Sequence, residues 1–281
     1  MSIITLTTDF GERDFSVGAL KGALYRLIPE ARIVDISHLI TPFDILQTAY
    51  ILKSAYPHFP KGSIHLIGVD AEPTPDKKHL VMQLNGHFFI GADTGIFHLL
   101  SGEDSDAVIY QLETSPIKNC FSVLYDFPKI ISKIYAKTPL DKIGKKTENH
   151  FRMKHYVPEI AADKSAIYGK VIYIDHYGNV VSNITQTLFN EVGQGRKFEA
   201  IFSSYKLENI QKSYASIVNY NLPKHQRKNM DGEKLMLFNS NGLLELALYK
   251  SNLKTVGGAS TLMGITYLDQ VTIIFKNNNN K

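Results

Sequence analysis

Ile3-Ile4-Thr5-Leu6-Thr7-Thr8-Asp9-Phe10-Gly11-Glu12-Arg13-Asp14-Phe15-Ser16, at the head of the chain, reads as a strand, a polar turn and the start of a helix. Residues 3–7 are β-branched or leucine, the composition of a buried strand. Asp9 and Gly11 interrupt that run. Val17, Leu20, Leu24 and Leu27 then recur at helical spacing until Pro29 limits the continuation. The turn therefore lies at the carboxyl end of the strand, where open α/β sheets bind ligands. Asp9, Asp14 and Ser16 make it rich in acceptors, which suits hydroxyl and amine donors and makes a poor cradle for phosphate. Asp14 or Ser16 serves equally well as a helix cap.

The same alternation continues outward from this unit. Residues 32–36 read as a second strand, Pro42-Phe43-Asp44 opens a helix carrying Ile45, Ala49 and Leu52, and residues 63–69 form a third strand ending at Asp70. Strands alternating with helices predict a mostly parallel sheet with helices on its faces. Asn85-Gly86 between two apolar runs is a tight-hairpin signal, so the sheet is expected to be mixed. A helix follows over 127–135, with Ile130, Ile131 and Ile134 inward.

Composition changes near residue 142, and residues 142–154 read as a linker. Beyond 168, helical periodicity largely disappears. Residues 170–175, 179–184, 198–202, 234–238 and 270–275 read as strands, which favours an all-β barrel or sandwich. Residues 243–249 fit a strand or a short helix, and 277–281 a frayed tail. The expected organisation is an α/β nucleoside-binding domain over 1–155 and a β-barrel domain over 156–281.

The chain has 281 residues, a net charge of +4 and one cysteine, Cys120, which excludes an internal disulfide. Its basic run Lys224-His225-Gln226-Arg227-Lys228 lacks interleaved aromatics and reads as a solvated loop, so no nucleic-acid partner is expected. No apolar run is long enough to span a bilayer, and the amino terminus lacks the pattern of a signal peptide. A cytoplasmic protein with no membrane association is expected. The ten histidines show no zincin-like pairing, so no metal is expected. There is no phosphate-binding glycine loop and no Gly-x-Ser-x-Gly elbow.

Four polar turns remain as candidates for chemistry: 9–16, 70–78, 175–183 and 239–245. The third, Asp175-His176-Tyr177-Gly178-Asn179-Val180-Val181-Ser182-Asn183, gathers a carboxylate, carboxamides and an aromatic ring. That is equipment for a purine or an amino-acid head group, and equally for a turn in which Gly178 and Asn179 serve the backbone. The same two readings apply to Asn239-Ser240-Asn241-Gly242.

The ordered set Thr7-Thr8-Asp9-Phe10-Gly11, Val17-Gly18-Ala19-Leu20-Lys21-Gly22, Val34-Asp35-Ile36, Pro42-Phe43-Asp44, residues 175–184 and residues 239–247 resembles the S-adenosyl-L-methionine (SAM) hydroxide adenosyltransferases, or SAM hydrolases. These are relatives of the fluorinase and chlorinase. The resemblance spans nearly the whole chain. It implies an α/β domain followed by a Greek-key β-barrel, in a homotrimer whose sites lie between the first domain of one subunit and the second of its neighbour. It implies hydrolysis of SAM to adenosine and methionine, with SAM as substrate and no cofactor.

Carried over residue by residue, the resemblance gives Asp9 the ribose hydroxyls and Asp14 and Ser16 the methionine part. Phe43 lies beside the nucleoside, Asp175 meets the methionine ammonium, and Asn179 meets the adenine edge. Tyr214 supplies a ring for adenine, and Ser240 lies near the amino-acid carboxylate. The family's water-activating Asp-Arg-His set is altered here. Asp70-Ala71-Glu72-Pro73-Thr74-Pro75-Asp76-Lys77 keeps the aspartate and offers Lys77 for arginine, while residues 121–126 carry no histidine. Asp70 and Lys77 are thus the catalytic candidates. The competing readings are a non-catalytic SAM or adenosine binder and an adenosyl transferase using another nucleophile. A halide nucleophile is disfavoured, because the family's halogenases carry tyrosine in place of Asp70, and a carboxylate repels an anion.

Overall fold

The computed structural model describes residues 2–102, 106–113, 121–153 and 156–276; Cys120 and the tail at 277–281 lie outside them. The chain divides into two compact units, Met1–His155 and Tyr156–Lys281.

In the first unit the opening stretch forms β1 (Ile3–Thr8) and α1 (Ser16–Leu27). There follow β2 (Arg32–Ser37), α2 (Ile45–Ala55), β3 (Ile64–Gly68), β4 (His79–Leu84), β5 (His87–Ala92) and α3 (Ile96–Ser101). The unit closes with β6 (Val108–Leu112), α4 (Ser122–Tyr125), α5 (Phe127–Tyr135) and β7 (Gly144–Lys146). One seven-stranded sheet has the order β2-β1-β3-β5-β4-β6-β7. The pairings from β2 through β5 are parallel and those from β5 through β7 antiparallel. Parallel character thus stops at β5. The reason is the hairpin at Asn85 and Gly86, whose positive φ values of 52° and 82° suit a tight two-residue turn.

Side chains alternate between two buried faces. Leu66, Ile90 and Val81 pack with Leu20 and Leu24 of α1 and with Phe127, Ile131 and Ile134 of α5. Their strand neighbours Ile67, Phe89, Leu80 and Met82 pack with Ile45, Ala49 and Leu52 of α2 and with Ile96 and Phe97 of α3. Helices therefore cover both faces, which explains why β1, β3 and β5 are almost continuously buried. Burial of so many aliphatic side chains, each contributing about 1.5–3 kcal/mol, holds the sheet ends rigidly. The expected linker at 142–154 is partly sheet, because β7 pairs with β6 as an edge strand.

The second unit contains β8 (Glu159–Ile160), β9 (Ala166–Ile174), β10 (Val180–Thr185), α6 (Gln186–Gly193), β11 (Phe198–Phe202), β12 (Tyr205–Leu207) and β13 (Ile210–Gln211). It ends with β14 (Lys234–Phe238), β15 (Leu243–Leu248), α7 (Ala259–Met263) and β16 (Gln270–Phe275). Nine strands make a curled sheet in the order β12-β11-β16-β9-β10-β15-β14-β13, with β8 beside β9. Residues 243–248 are a strand, the first of the two readings that their apolar pattern allowed. Leu244, Leu246 and Leu248 point into the core with Val180, Phe202 and Ile273. Ala247 lies in a smaller cluster with Leu235 and Leu237, on the side that Glu245 shares by strand alternation. Helix α6 was not anticipated. Its N-cap is Thr185, whose side chain accepts from Leu188 N.

Candidate active site

The loops after β1, β2 and β3 converge on one pocket of about 470 Å³ in the first unit. Asp9, Phe43, Asp70 and Lys77 line it, together with Phe10, Glu72 and Thr74. Four of the residues singled out in the sequence thus meet, although they are spread over nearly seventy positions. Three carboxylates, Asp9, Asp70 and Glu72, stand against the single ammonium of Lys77 along this lining. The pocket favours a cationic ligand.

Two backbone outliers sit in its wall. Phe43 has φ +66° and Asp70 φ +44°. The left-handed region suits aspartate tolerably, but for a bulky aromatic residue it costs on the order of 1–3 kcal/mol. Local contacts hold Phe43 there. Its backbone N–H donates to Asp9 Oδ2 at 3.0 Å, and its neighbour Asp44 caps α2 by accepting from Gln47 N at 2.8 Å. The ring is left exposed at the pocket mouth, at 72% of its full accessibility.

Asp70 Oδ1 accepts from Lys77 Nζ at 2.5 Å, and both side chains are partly buried. The loop between them is fastened twice. Thr74 and Lys77 exchange backbone hydrogen bonds of 3.0 and 3.2 Å. Next to Asp70, the Ala71 carbonyl accepts from Nε2 of the fully buried His79 at 2.9 Å. Burial outweighs that hydrogen bond and pushes the His79 imidazole below its ordinary value, so it stays neutral. His79 is a residue that sequence reasoning missed. Its only signal was a polar side chain at the start of an apolar strand.

Asp14 lies exposed on the β1–α1 loop and Ser16, half-buried, is the first residue of α1; neither lines the pocket. The cap reading does not hold for either: the N-cap of α1 is Phe15, with no side-chain cap hydrogen bond.

In the second unit the turn between β9 and β10 is organised by Asp175. Its Oδ1 accepts from Tyr177 N at 2.8 Å and Asn179 N at 2.9 Å, and its Oδ2 accepts from Asn179 Nδ2 at 2.9 Å. Gly178 has φ +79°, and a Cβ there would stand 2.9 Å from Gly258 Cα, so glycine is required. Asn179 is 4% exposed, and its Oδ1 is buried without a partner.

Tyr214 donates to Glu245 Oε1 at 2.6 Å, and Asn239 Nδ2 donates to Glu245 Oε2 at 3.1 Å. Burial drives the Glu245 carboxyl above the ordinary carboxylate range, against the pull of these two hydrogen bonds, and nearby Asp175 adds to the rise. Glu245, a second residue missed from the sequence, therefore ties Tyr214 and the turn at 239–242 together. Ser240 is exposed at the tip of that turn.

The comparisons with known proteins agree across both units. Residues 4–144 match the family model of the SAM hydroxide adenosyltransferase N-terminal domain, and residues 169–272 that of its C-terminal domain. The (R)-S-adenosyl-L-methionine hydrolase of Methanocaldococcus jannaschii is 28% identical over 285 residues, covering 98% of this chain and 97% of its own. The fluorinase of Nocardia brasiliensis is 22% identical over 224 residues, covering 69% of this chain and 74% of its own. A solved structure, an uncharacterized conserved protein from Thermotoga maritima, superimposes with a TM-score of 0.80 at 22% identity, covering 97% of this chain and all of that one. That last likeness is one of fold.

Proposed function

Since the chain belongs to the SAM hydroxide adenosyltransferase family, we propose that it hydrolyses SAM to adenosine and L-methionine, with Asp70 as the group that activates water. The observation carrying this reading is that Asp9, Asp70 and Lys77 line one pocket of net negative character. A sulfonium cation is drawn into such a pocket, and a halide nucleophile is opposed there.

Water attacks the ribose C5′ carbon, and the C5′–S bond breaks with its electron pair going to sulfur. The leaving group is a neutral thioether, so no acid has to protonate it. The protein's tasks are to align water with C5′ and to exclude competing solvent. With Oδ1 committed to Lys77, Oδ2 is the Asp70 oxygen assigned to the water, taking its proton and later releasing it to solvent. Positioned base catalysis of this kind contributes about 10²–10⁴-fold. Lys77 supplies charge and orientation, without the planar fork of the arginine it replaces.

Asp9 takes the ribose diol and Phe43 flanks the nucleoside. Asp14 and Ser16 receive the methionine part, while Asp175, Asn179, Tyr214 and Ser240 serve the ammonium, the adenine and the carboxylate. The reading includes a homotrimer, in which a neighbouring copy's second unit, taken as a Greek-key barrel, completes each site.

The test is incubation of the pure protein with SAM. The R sulfonium epimer comes first, because the curated relatives are named for it. Adenosine and methionine should form in equal amounts and faster than SAM decays unaided. Absence of adenosine above that background would leave a binding protein.

A further inference from the structure

Behind Asp9 runs a relay of side chains that the proposed chemistry does not use. Thr8 Oγ1 lies 2.8 Å from Nδ1 of His38, a residue 5% exposed. His38 Nε2 stands 3.1 Å from Asp35 Oδ1, a charge contact without hydrogen-bond geometry, and Asp35 Oδ2 accepts from Lys21 Nζ at 2.5 Å. The relay links β1, β2 and α1. Burial raises the Asp35 carboxyl, but the contacts to Lys21 and His38 outweigh burial and hold it below its ordinary range. The Thr8–His38 contact fixes the Thr8 side chain against the imidazole whichever ring nitrogen carries the hydrogen.

His38 reaches the pocket loops from both sides. Its carbonyl accepts from Gly11 N at 2.7 Å, which fastens the β1–α1 loop two residues beyond Asp9. Thr8 Oγ1 also accepts from Phe10 N at 3.4 Å. Asp9 is thus bracketed by Thr8, Phe10 and Gly11, and its own carboxylate is tied to Phe43 N in the β2–α2 loop. A carboxylate that binds a vicinal diol needs its plane fixed, because both hydroxyls must donate at once.

We infer that His38 is a positioning residue that sets the Asp9 carboxylate for the ribose diol, through the contact of its side chain with Thr8. The inference rests on the ribose role of Asp9 proposed above.

Calorimetry with adenosine on the full-length protein tests it. His38→Ala and Thr8→Val should each weaken adenosine about tenfold, the scale of a hydrogen bond to a charged group. His38→Asn, whose carboxamide restores a hydrogen-bonding group near the Nδ1 position, should recover much of the loss. In kinetics with SAM the loss should fall on KM with kcat nearly unchanged, the mark of binding shared by ground and transition states. In an Asp9→Asn background His38→Ala should add little, whereas a general loosening of the fold would add its full effect. Should His38→Ala fail to fold, Thr8→Val carries the same test, since it is nearly isosteric and lies in a strand. If Asp9→Asn weakens adenosine while Thr8→Val and every folded His38 variant bind like the parent, the inference is overturned and the ribose role stands. If Asp9→Asn itself binds like the parent, the ribose role falls and the inference falls with it.

Discussion

Asp70 and Lys77 meet at 2.5 Å across a loop in which they stand seven residues apart. Asp70 turns the chain at φ +44°, two residues beyond the end of β3. Left-handed backbone is costly for most residues and tolerable for aspartate, which can sit there without a β-branched side chain to clash. The pair sits on the lip of a rigid, doubly covered sheet, where the β1 and β2 loops also arrive. Such a placement suits a group that has to hold a water molecule still.

Asp70→Ala should lower kcat for SAM at least about a hundredfold with little change in KM, as expected for a group acting in the transition state. Lys77→Ala should be milder, because an ammonium supplies charge with little geometry. Steady-state release of adenosine measures both. A turnover unaffected by Asp70→Ala would mean that other groups hold the water.

Asp9→Asn should weaken adenosine more than about tenfold, since a charge-assisted hydrogen bond contributes roughly 1.5–3 kcal/mol. The amide oxygen still accepts from Phe43 N, so the thermal midpoint should stay near that of the parent. Calorimetry and a melting curve together check the claim, and adenosine bound as tightly as by the parent would sink it.

Tyr214→Phe removes the donor that lies 2.6 Å from Oε1 of the buried Glu245, although Tyr214 itself is partly exposed. Leaving that oxygen unpaired should destabilise the protein by about 1–3 kcal/mol, read from the denaturant midpoint. An unchanged midpoint would show that this hydrogen bond contributes nothing net.

A buried chain of hydrogen bonds predicts the acid response. Thr5 Oγ1 lies 2.7 Å from His65 Nδ1, and His65 Nε2 lies 3.0 Å from His87 Nδ1. Burial, and then the neighbouring His87, push the His65 pKa down from 6.5 to about 3. The unfolded chain therefore takes up a proton below about pH 6.5 that the folded chain refuses until about pH 3. Stability from this group is complete above the upper value and is lost progressively toward the lower one. Between pH 7 and 4.5 the thermal midpoint should fall more steeply in the parent than in His65→Gln. Equal slopes would assign the acid response to other groups.

Dilution that dissociates the assembly should abolish adenosine binding, because the proposed ligand groups are divided between the two units. Sedimentation of a monomer that still binds adenosine at full affinity would refute the shared site.

Much of this was legible in order along the chain. Ile3 to Thr8 declared a buried strand, the 3.6-residue spacing of Leu20 and Leu24 a helix, and Asn85-Gly86 the hairpin that ends the parallel run. These signals are local, carried by backbone preferences and by the period of burial. The polar turns were legible too, because a strand that ends in aspartate inside an apolar unit has few other uses. What the sequence could not supply was which of those turns converge. That Phe43 N meets Asp9, or that Tyr214 and Asn239 close on Glu245, depends on strand order and register, which bring residues 34, 31 and 6 positions apart within hydrogen-bond range. Edge pairing escaped for the same reason. Gly144-Lys145-Lys146 has no strand composition, and it becomes β7 only because β6 offers unpaired backbone groups. Local preference settled most of the elements; the positive φ of Phe43 and Asp70 and the burial of Glu245 were decided by packing, which makes polar and strained residues stable where partners from distant segments hold them.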